Sequence, residues 1–420
     1  MVSSTTLVGA TATLASVASA VSWGFGQGGF GGPGWSAPWG PQNNQPSVVG
    51  RQFNINDRVQ YFAGTNSWWL GHLYYDADVV EAVKEIAVSD LKVTRVWGFG
   101  NANVNSSTSI YYQLINETLP GPYHTAINYG TNGIARLDSA VMAAQQAGVK
   151  LILNFLNNWD NLGGINTYCA VYGCNATTFY TSAAAQAAYK NYIQFIVNRY
   201  KNSDAIFAWE LMNEPRCQGC DTSVIYNWAS QTSAYIKSLD PTHMVTLGDE
   251  GWLCASTAPG TVGYYLGDDG SYAYSCSEGV DFSLNMGIKT LDYGTFHLYP
   301  DSWGYAEAWG NTWILQHDQI ARNHNKPSVL EEYGAPYVGS GLNETVGGVN
   351  ANSTLIEQQW QQTVLTNTDV AYDSFWQFGS HYLPNHEDDS DIYAIYYGTP
   401  EYQLLSTDHA YAMDAKPVVP

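Results

Sequence analysis

The chain has 420 residues, of which 45% are hydrophobic and 13% charged, a mix that excludes a disordered chain and allows one large core or two ordinary ones. Its formal charge of -21, with 16 Lys plus Arg against 37 Asp plus Glu, argues against nucleic acid or an anionic membrane as partner. Fifteen Trp and 31 Tyr fit either a large aromatic core or a cleft for flat, neutral ligands such as sugars.

In chain order, residues 1–20 are small and mildly apolar and end in Ala18-Ser19-Ala20, the pattern of a secretory leader. Residues 21–47 are rich in Gly and Pro, with scattered Trp and Phe and no burial period, and read as a disordered linker. A single catalytic domain is expected over 48–420. Asn-X-Ser/Thr sequons at Asn105, Asn116, Asn175, Asn343 and Asn352 suit a secreted, extracellular glycoprotein. So do the six cysteines, whose proximity suggests Cys169-Cys174, Cys217-Cys220 and Cys254-Cys276. The Cys217-x-x-Cys220 spacing has no second Cys pair to complete a zinc site.

From Gln52, short apolar runs alternate with helical stretches. The predicted strands are Tyr61–Asn66, Val93–Phe99, Lys150–Leu156, Ile206–Asn213, Met244–Asp249, Tyr293–Tyr299, Ser328–Tyr333 and Ser374–Phe378. Helices are expected between them, among them Ser139–Ala147, Ala183–Tyr200 and Val224–Leu239. Eight buried strands separated by helices predict an α/β fold, a (β/α)8 TIM barrel. The competing doubly wound sheet should carry a Gly-rich phosphate loop after an early strand, which this sequence lacks.

Polar and aromatic residues gather at the strand C-terminal ends, where a barrel of this kind carries its active site. They include Arg95 and Trp97, Asn157 to Trp159, Asn213 and Glu214, Asp249 and Glu250, His297 and Tyr299, Glu331 and Glu332, and Trp376 and Gln377. A Glu after strand four facing a Glu at the end of strand seven would give the two carboxyls that glycoside cleavage with retention requires. Glu210 competes with Glu214, and Glu331 with Glu332. Alternation does not choose between them, because barrel strands bulge at this end. Each loser is expected to be a buried carboxylate paired with Arg or a backbone N–H.

Asn213-Glu214-Pro215 with Glu332-Tyr333-Gly334 resembles the retaining (β/α)8 glycosidases. More narrowly, seven stretches in order over about 54–380 resemble the fungal endo-β-1,4-mannanases of glycoside hydrolase family 5. They are Arg95–Phe99, Asn157–Trp159, Gly163–Tyr168, Arg199–Cys220, Lys237–Gly251, Gly294–Gly304 and Glu331–Ala335. The resemblance implies Glu214 as acid/base, kept protonated, and Glu332 as nucleophile, held ionised by Arg95. Asn213 would bond the sugar 2-hydroxyl, His297 and Tyr299 would orient the two carboxyls, and Trp376 would be the platform under the reacting sugar. Trp97 joins the substrate-binding set, and Trp159, Arg216 and Trp303 are implied at flanking subsites. The implied partner is β-mannan, cleaved internally without metal or organic cofactor by a monomer.

Some features depart from that pattern. Ser67 and Leu70 stand where such enzymes often carry a cysteine pair, and strand seven lacks a usual nearby cysteine. Phe378 stands where a second Trp is common. The acidic stretch His381–Tyr397 and the insertion between Trp252 and Cys276 are distinctive. They leave room for a β-1,4-glucanase, or a hydrolase or transglycosylase of manno-oligosaccharides, on the same scaffold. A catalytically silent carbohydrate-binding barrel is the alternative of a different class, against which the presence of both Glu candidates argues.

Overall fold

The computed structural model describes residues 45–259, 271–336, 353–385 and 391–418, with short strands at Thr345–Val346 and Val349–Asn350. The leader, all but the end of the linker, Asn343 and Asn352 lie outside the described residues.

Eight parallel strands form one sheet: β1 (Phe62–Asn66), β2 (Val93–Trp97), β3 (Lys150–Asn154), β4 (Ile206–Glu210), β5 (Met244–Thr246), β6 (Gly294–Leu298), β7 (Ser328–Tyr333) and β8 (Tyr372–Phe375). Their order is β5-β4-β3-β2-β1-β8-β7-β6. The seam between β5 and β6 is joined by Asp292 N–H to Val245 O (2.8 Å) and His297 N–H to Glu250 O (3.1 Å), which makes the sheet a barrel. The crossovers carry α1 (Asp76–Val88), α2 (Ala135–Ala147), α3 (Ala183–Tyr200), α4 (Ser223–Leu239), the one-turn α5 (Phe282–Asn285), α6 (Trp309–His324) and α7 (Ser353–Asn367), and α8 (His409–Asp414) follows β8.

The helices form because one stripe of each is apolar. In α3 the buried residues are Ala185, Ala188, Tyr189, Tyr192, Ile193, Ile196, Val197 and Tyr200, spaced three and four apart, and the Ser182 hydroxyl caps its first turn by accepting from Ala185 N–H. All eight predicted strands exist. The last starts earlier than expected, at Tyr372. Its register was masked by Asp373, a polar residue tolerated in a buried strand because His409 Nε2 bonds its carboxylate at 2.8 and 2.9 Å.

A three-stranded antiparallel sheet, Ser47–Val49, Gln52–Ile55 and Arg58–Gln60, precedes the barrel. It puts Phe53 against Phe62, Phe207, Tyr293 and Tyr372, with ring centroids 5.1 to 6.2 Å away. These residues, with Ile55, Val93, Ile152, Met244 and Val329, are a closed apolar layer at the strand N-terminal ends. Burying one Phe there contributes about 1.5–3 kcal/mol. The opposite end of the barrel is polar.

Candidate active site

Both ambiguous carboxylate pairs lie on irregular backbone. The β6–β7 register shifts between Phe296 and His297, and the β7–β8 register between Leu330 and Tyr333, so β7 bulges at Glu331 and Glu332. The Asn66 side chain bonds the carbonyls of Glu331 (2.9 Å) and Phe375 (3.2 Å) across this break. Consecutive glutamates therefore both serve the barrel interior. At β4, pairing with β3 continues past the strand end through the Asn157–Asn213 bridge. Glu214 then takes a left-handed conformation, φ 50°, rare for a non-glycine residue, with its N–H on Gly248 O at 2.8 Å. Gly248 has φ 84°, and a Cβ there would lie 2.2 Å from Met212 O and 2.5 Å from Glu210 Oε1. Only glycine allows this approach.

Arg95 organises the floor. Its guanidinium donates to Glu210 from Nε (2.8 Å) and Nη2 (2.6 Å), to Asn213 Oδ1 (2.7 Å) and, through Nη1, to Glu332 Oε1. Glu331 lies 3.6 Å from Arg95 Nε and 3.5 Å from His297 Nε2. Glu210 and Glu331 are both fully buried, and Arg95 faces both of them as well as Glu332. Above them, His297 Nδ1 sits 2.9 Å from Glu214 Oε1, and the Tyr299 hydroxyl donates to Glu332 Oε2 at 2.8 Å. Glu214, His297 and Glu332 bring one ligand-type atom each within 4.8 Å of one another. Two carboxyl groups facing one pocket are what glycoside cleavage requires, one to protonate the leaving oxygen and one to act at the anomeric carbon.

The cleft beside these groups has a volume of about 390 Å³ and is lined by Trp159, Glu214, Arg216, Glu250, Tyr272, Tyr299, Ser302, Trp303 and Tyr393. Trp159 Nε1 donates to Glu214 Oε2. Arg216 is clamped by Glu250, with Nε to Oε2 at 2.7 Å and Nη2 to Oε1 at 2.5 Å, and Trp252 Nε1 donates to Glu250 Oε2 at 3.0 Å. The guanidinium lies 5.0 Å from the Trp159 ring centroid, a cation–π distance. Burial pushes Glu250 up to about 7, against the pull of Arg216.

The buried groups of the site pull one another in opposite directions. Burial would raise Glu214, but the His297 bond, the charges of His297 and Arg216 and the Trp159 N–H lower it to about 2. Burial raises Glu332, and the Glu214 charge adds to that, outweighing His297, Arg95 and Tyr299. His297, although burial opposes its charge, is held well above its ordinary value by Glu332, Glu214 and Glu331. Deeper down, burial raises Glu210 to about 8 against the pull of Arg95, while Arg95 and His297 hold Glu331 low against burial.

The expected residues converge, with two corrections. Trp97 is 1% exposed and supports the site from below: Arg95 lies 4.7 Å over its ring and Trp376 packs 5.8 Å away. Phe378 is fully buried against Trp69 and Tyr402, so the replaced aromatic does not line the cleft. The three cysteine pairs are joined as expected. Asn105 and Asn175 are exposed, whereas the Asn116 Nδ2, the atom a glycan would take, donates to Asn103 O at 2.9 Å. Sequence reasoning missed the roles of Glu250, Tyr272 and Tyr393. The signal for Glu250 was its position two residues from Gly248 in a segment too irregular to be strand.

A barrel with two glutamates facing each other at its polar end has the architecture of a glycoside hydrolase. Residues 110–380 match the family described as cellulase, glycosyl hydrolase family 5. Mannan endo-1,4-beta-mannosidase A of Aspergillus aculeatus is 46% identical over 374 residues, 88% of this chain and 91% of its own. A probable mannan endo-1,4-beta-mannosidase A of Aspergillus niger is 45% identical over 87% of this chain and 88% of its own. The crystal structure of the endo-1,4-beta-mannanase from Rhizomucor miehei superposes with TM-score 0.74 at 28% identity, covering 88% of this chain and 99% of that one. The chain belongs to glycosyl hydrolase family 5.

Proposed function

We propose that this enzyme is an endo-β-1,4-mannanase that cleaves internal bonds of mannan, glucomannan and galactomannan with retention. The observation that carries the chemistry is the Glu214–His297–Glu332 cluster, with its atoms within 4.8 Å, beside an open aromatic cleft. The substrate is supported by relatives named as mannanases that span nearly the whole chain. In the first step a Glu332 oxygen bonds the anomeric carbon, the glycosidic C–O bond breaks, and the leaving oxygen takes a proton from Glu214. That proton reaches Glu214 from His297 Nδ1 along the 2.9 Å bond. In the second step Glu214 takes a proton from water, the water oxygen bonds the anomeric carbon, and Glu332 leaves. Asn213, fixed by Arg95 and by Asn157 Oδ1 (2.9 Å), presents its amide towards the sugar 2-hydroxyl. Trp376 stacks under the reacting sugar, and Trp159, Arg216 and Trp303 bind the leaving-group side.

Residues 1–20 as leader, a linker that gives way to the folded domain by Gln45 rather than at residue 48, and one catalytic domain from there to residue 420 complete the reading of a secreted, extracellular monomer. Among the described residues no helix is long and apolar enough to cross a membrane. Oligosaccharide release from mannan against cellulose, with products analysed by mass in labelled water, tests the assignment. Glu214→Gln and Glu332→Gln should each reduce mannan hydrolysis by about 10²–10⁴-fold without loss of fold. Near-normal turnover in either variant, or preferred release from cellulose, would overturn it.

A further inference from the structure

The acidic stretch after β8 is unexplained by the carboxyl chemistry, yet one of its residues reaches the site. Trp376 Nε1 donates to Asp391 Oδ2 at 2.8 Å. The same oxygen accepts from Gln377 Nε2 at 3.1 Å, and Gln377 Oε1 accepts from Trp69 Nε1 at 3.0 Å. The other oxygen, Oδ1, accepts the N–H of Tyr393 at 2.8 Å, which fixes the carboxylate against its own backbone. Gln377 and Trp69 are buried, so this chain of bonds has a rigid end. Two residues on, the Tyr393 hydroxyl donates to Asp301 Oδ2 at 3.0 Å, tying the segment to the loop after β6.

We infer that Asp391 is a positioning residue that fixes the plane of the Trp376 ring and, through its negative charge on the indole N–H, makes that ring a better partner for the positive charge of the glycosylation transition state. The inference rests on the reading of Trp376 as the sugar platform. An indole attached by two rotatable bonds stacks productively only when its plane is held. Trp97 lies on one side of the ring, 5.8 Å away and tilted by 41°, which leaves rotation of the indole about its Cβ–Cγ bond to be stopped by the N–H bond. An anion accepting that bond also pushes electron density into the ring. Ring attraction for a developing oxocarbenium ion then grows more than attraction for the neutral ground-state sugar, so the effect falls on kcat.

The test is a double-mutant cycle read as kcat and KM on mannohexaose. Asp391→Ala should lower kcat by about 10- to 100-fold, the range of one charged hydrogen bond, with a small change in KM. Asp391→Asn, which keeps size and one acceptor but not charge, should fall between. In a Trp376→Phe background, where no ring N–H exists, Asp391→Ala should have little further effect. An Asp391→Ala enzyme with wild-type kcat, or an equal loss in the Trp376→Phe background, overturns the inference. Trp376→Ala separates it from the platform reading: a Trp376→Ala enzyme of normal kcat removes that reading, whereas loss there beside unaffected Asp391 variants removes only the role of Asp391.

Discussion

His297 Nδ1 lies 2.9 Å from Glu214 Oε1 and 3.5 Å from Glu332 Oε2, so one imidazole nitrogen faces both carboxyls of the proposed reaction. With Glu331 3.5 Å from its other nitrogen, the ring is surrounded by acids. The three upper groups titrate as a set, and pH reports on the set rather than on a single residue.

The first expectation is a bell-shaped dependence of kcat/KM on pH. Glu332 is raised above its ordinary 4.5, so the nucleophile protonates early as pH falls and the acid limb lies above 4.5. His297 is held well above its ordinary 6.5, so the proton destined for Glu214 is retained past neutrality and lost only at higher pH. Initial rates on mannopentaose across pH 3–10 would check both limbs; an acid limb below 4.5 contradicts the first assignment.

Glu331→Gln removes the anion facing His297 Nε2. The imidazolium should become less stable, and the alkaline limb should move to lower pH while the acid limb stays near its place. The same pH series on this variant decides it. An unmoved alkaline limb would mean that Glu331 does not set the charge of His297.

Arg216 and Glu250 form a largely buried ion pair in the wall of the cleft. Arg216→Ala leaves Glu250 without its cation, and Glu250, already raised to about 7, should rise further and lose its charge near neutral pH. Losing one charged contact to sugar should raise KM for short manno-oligosaccharides by about 10- to 100-fold. The check is KM for mannotriose against long mannan, where other contacts compensate.

Phe53→Ala should cost about 3–5 kcal/mol of stability, the range for emptying a buried aromatic site. Kinetics should be nearly unchanged at low temperature, because the ring lies at the end of the barrel opposite the cleft. Chemical denaturation with assays below the transition would measure both.

Much of this was legible in the sequence because each barrel strand is a buried run, and buried runs stand out. Glu214 and Glu332 were legible through their flanking residues, although their choice over Glu210 and Glu331 rested on resemblance. The physical basis for that choice, the bulge in β7 and the left-handed Glu214, has no period to read. The N-terminal sheet escaped because its strands are three and four residues long. Its turn was visible: Asn56 and Asp57, with φ 53° and 63°, are residue types suited to a left-handed hairpin turn between short alternating strands. Asp391 escaped for another reason, since an acidic run reads as a solvated face until a partner for one member is seen.

The sheet that carries Phe53 also fixes a direction. Gln45 Nε2 is 3.3 Å from Asp204 Oδ1, just before β4 begins, so the described chain enters at the pole opposite the cleft. A support or a fused module joined ahead of Gln45 would stand behind the enzyme, leaving the mouth free to meet an insoluble polysaccharide face on.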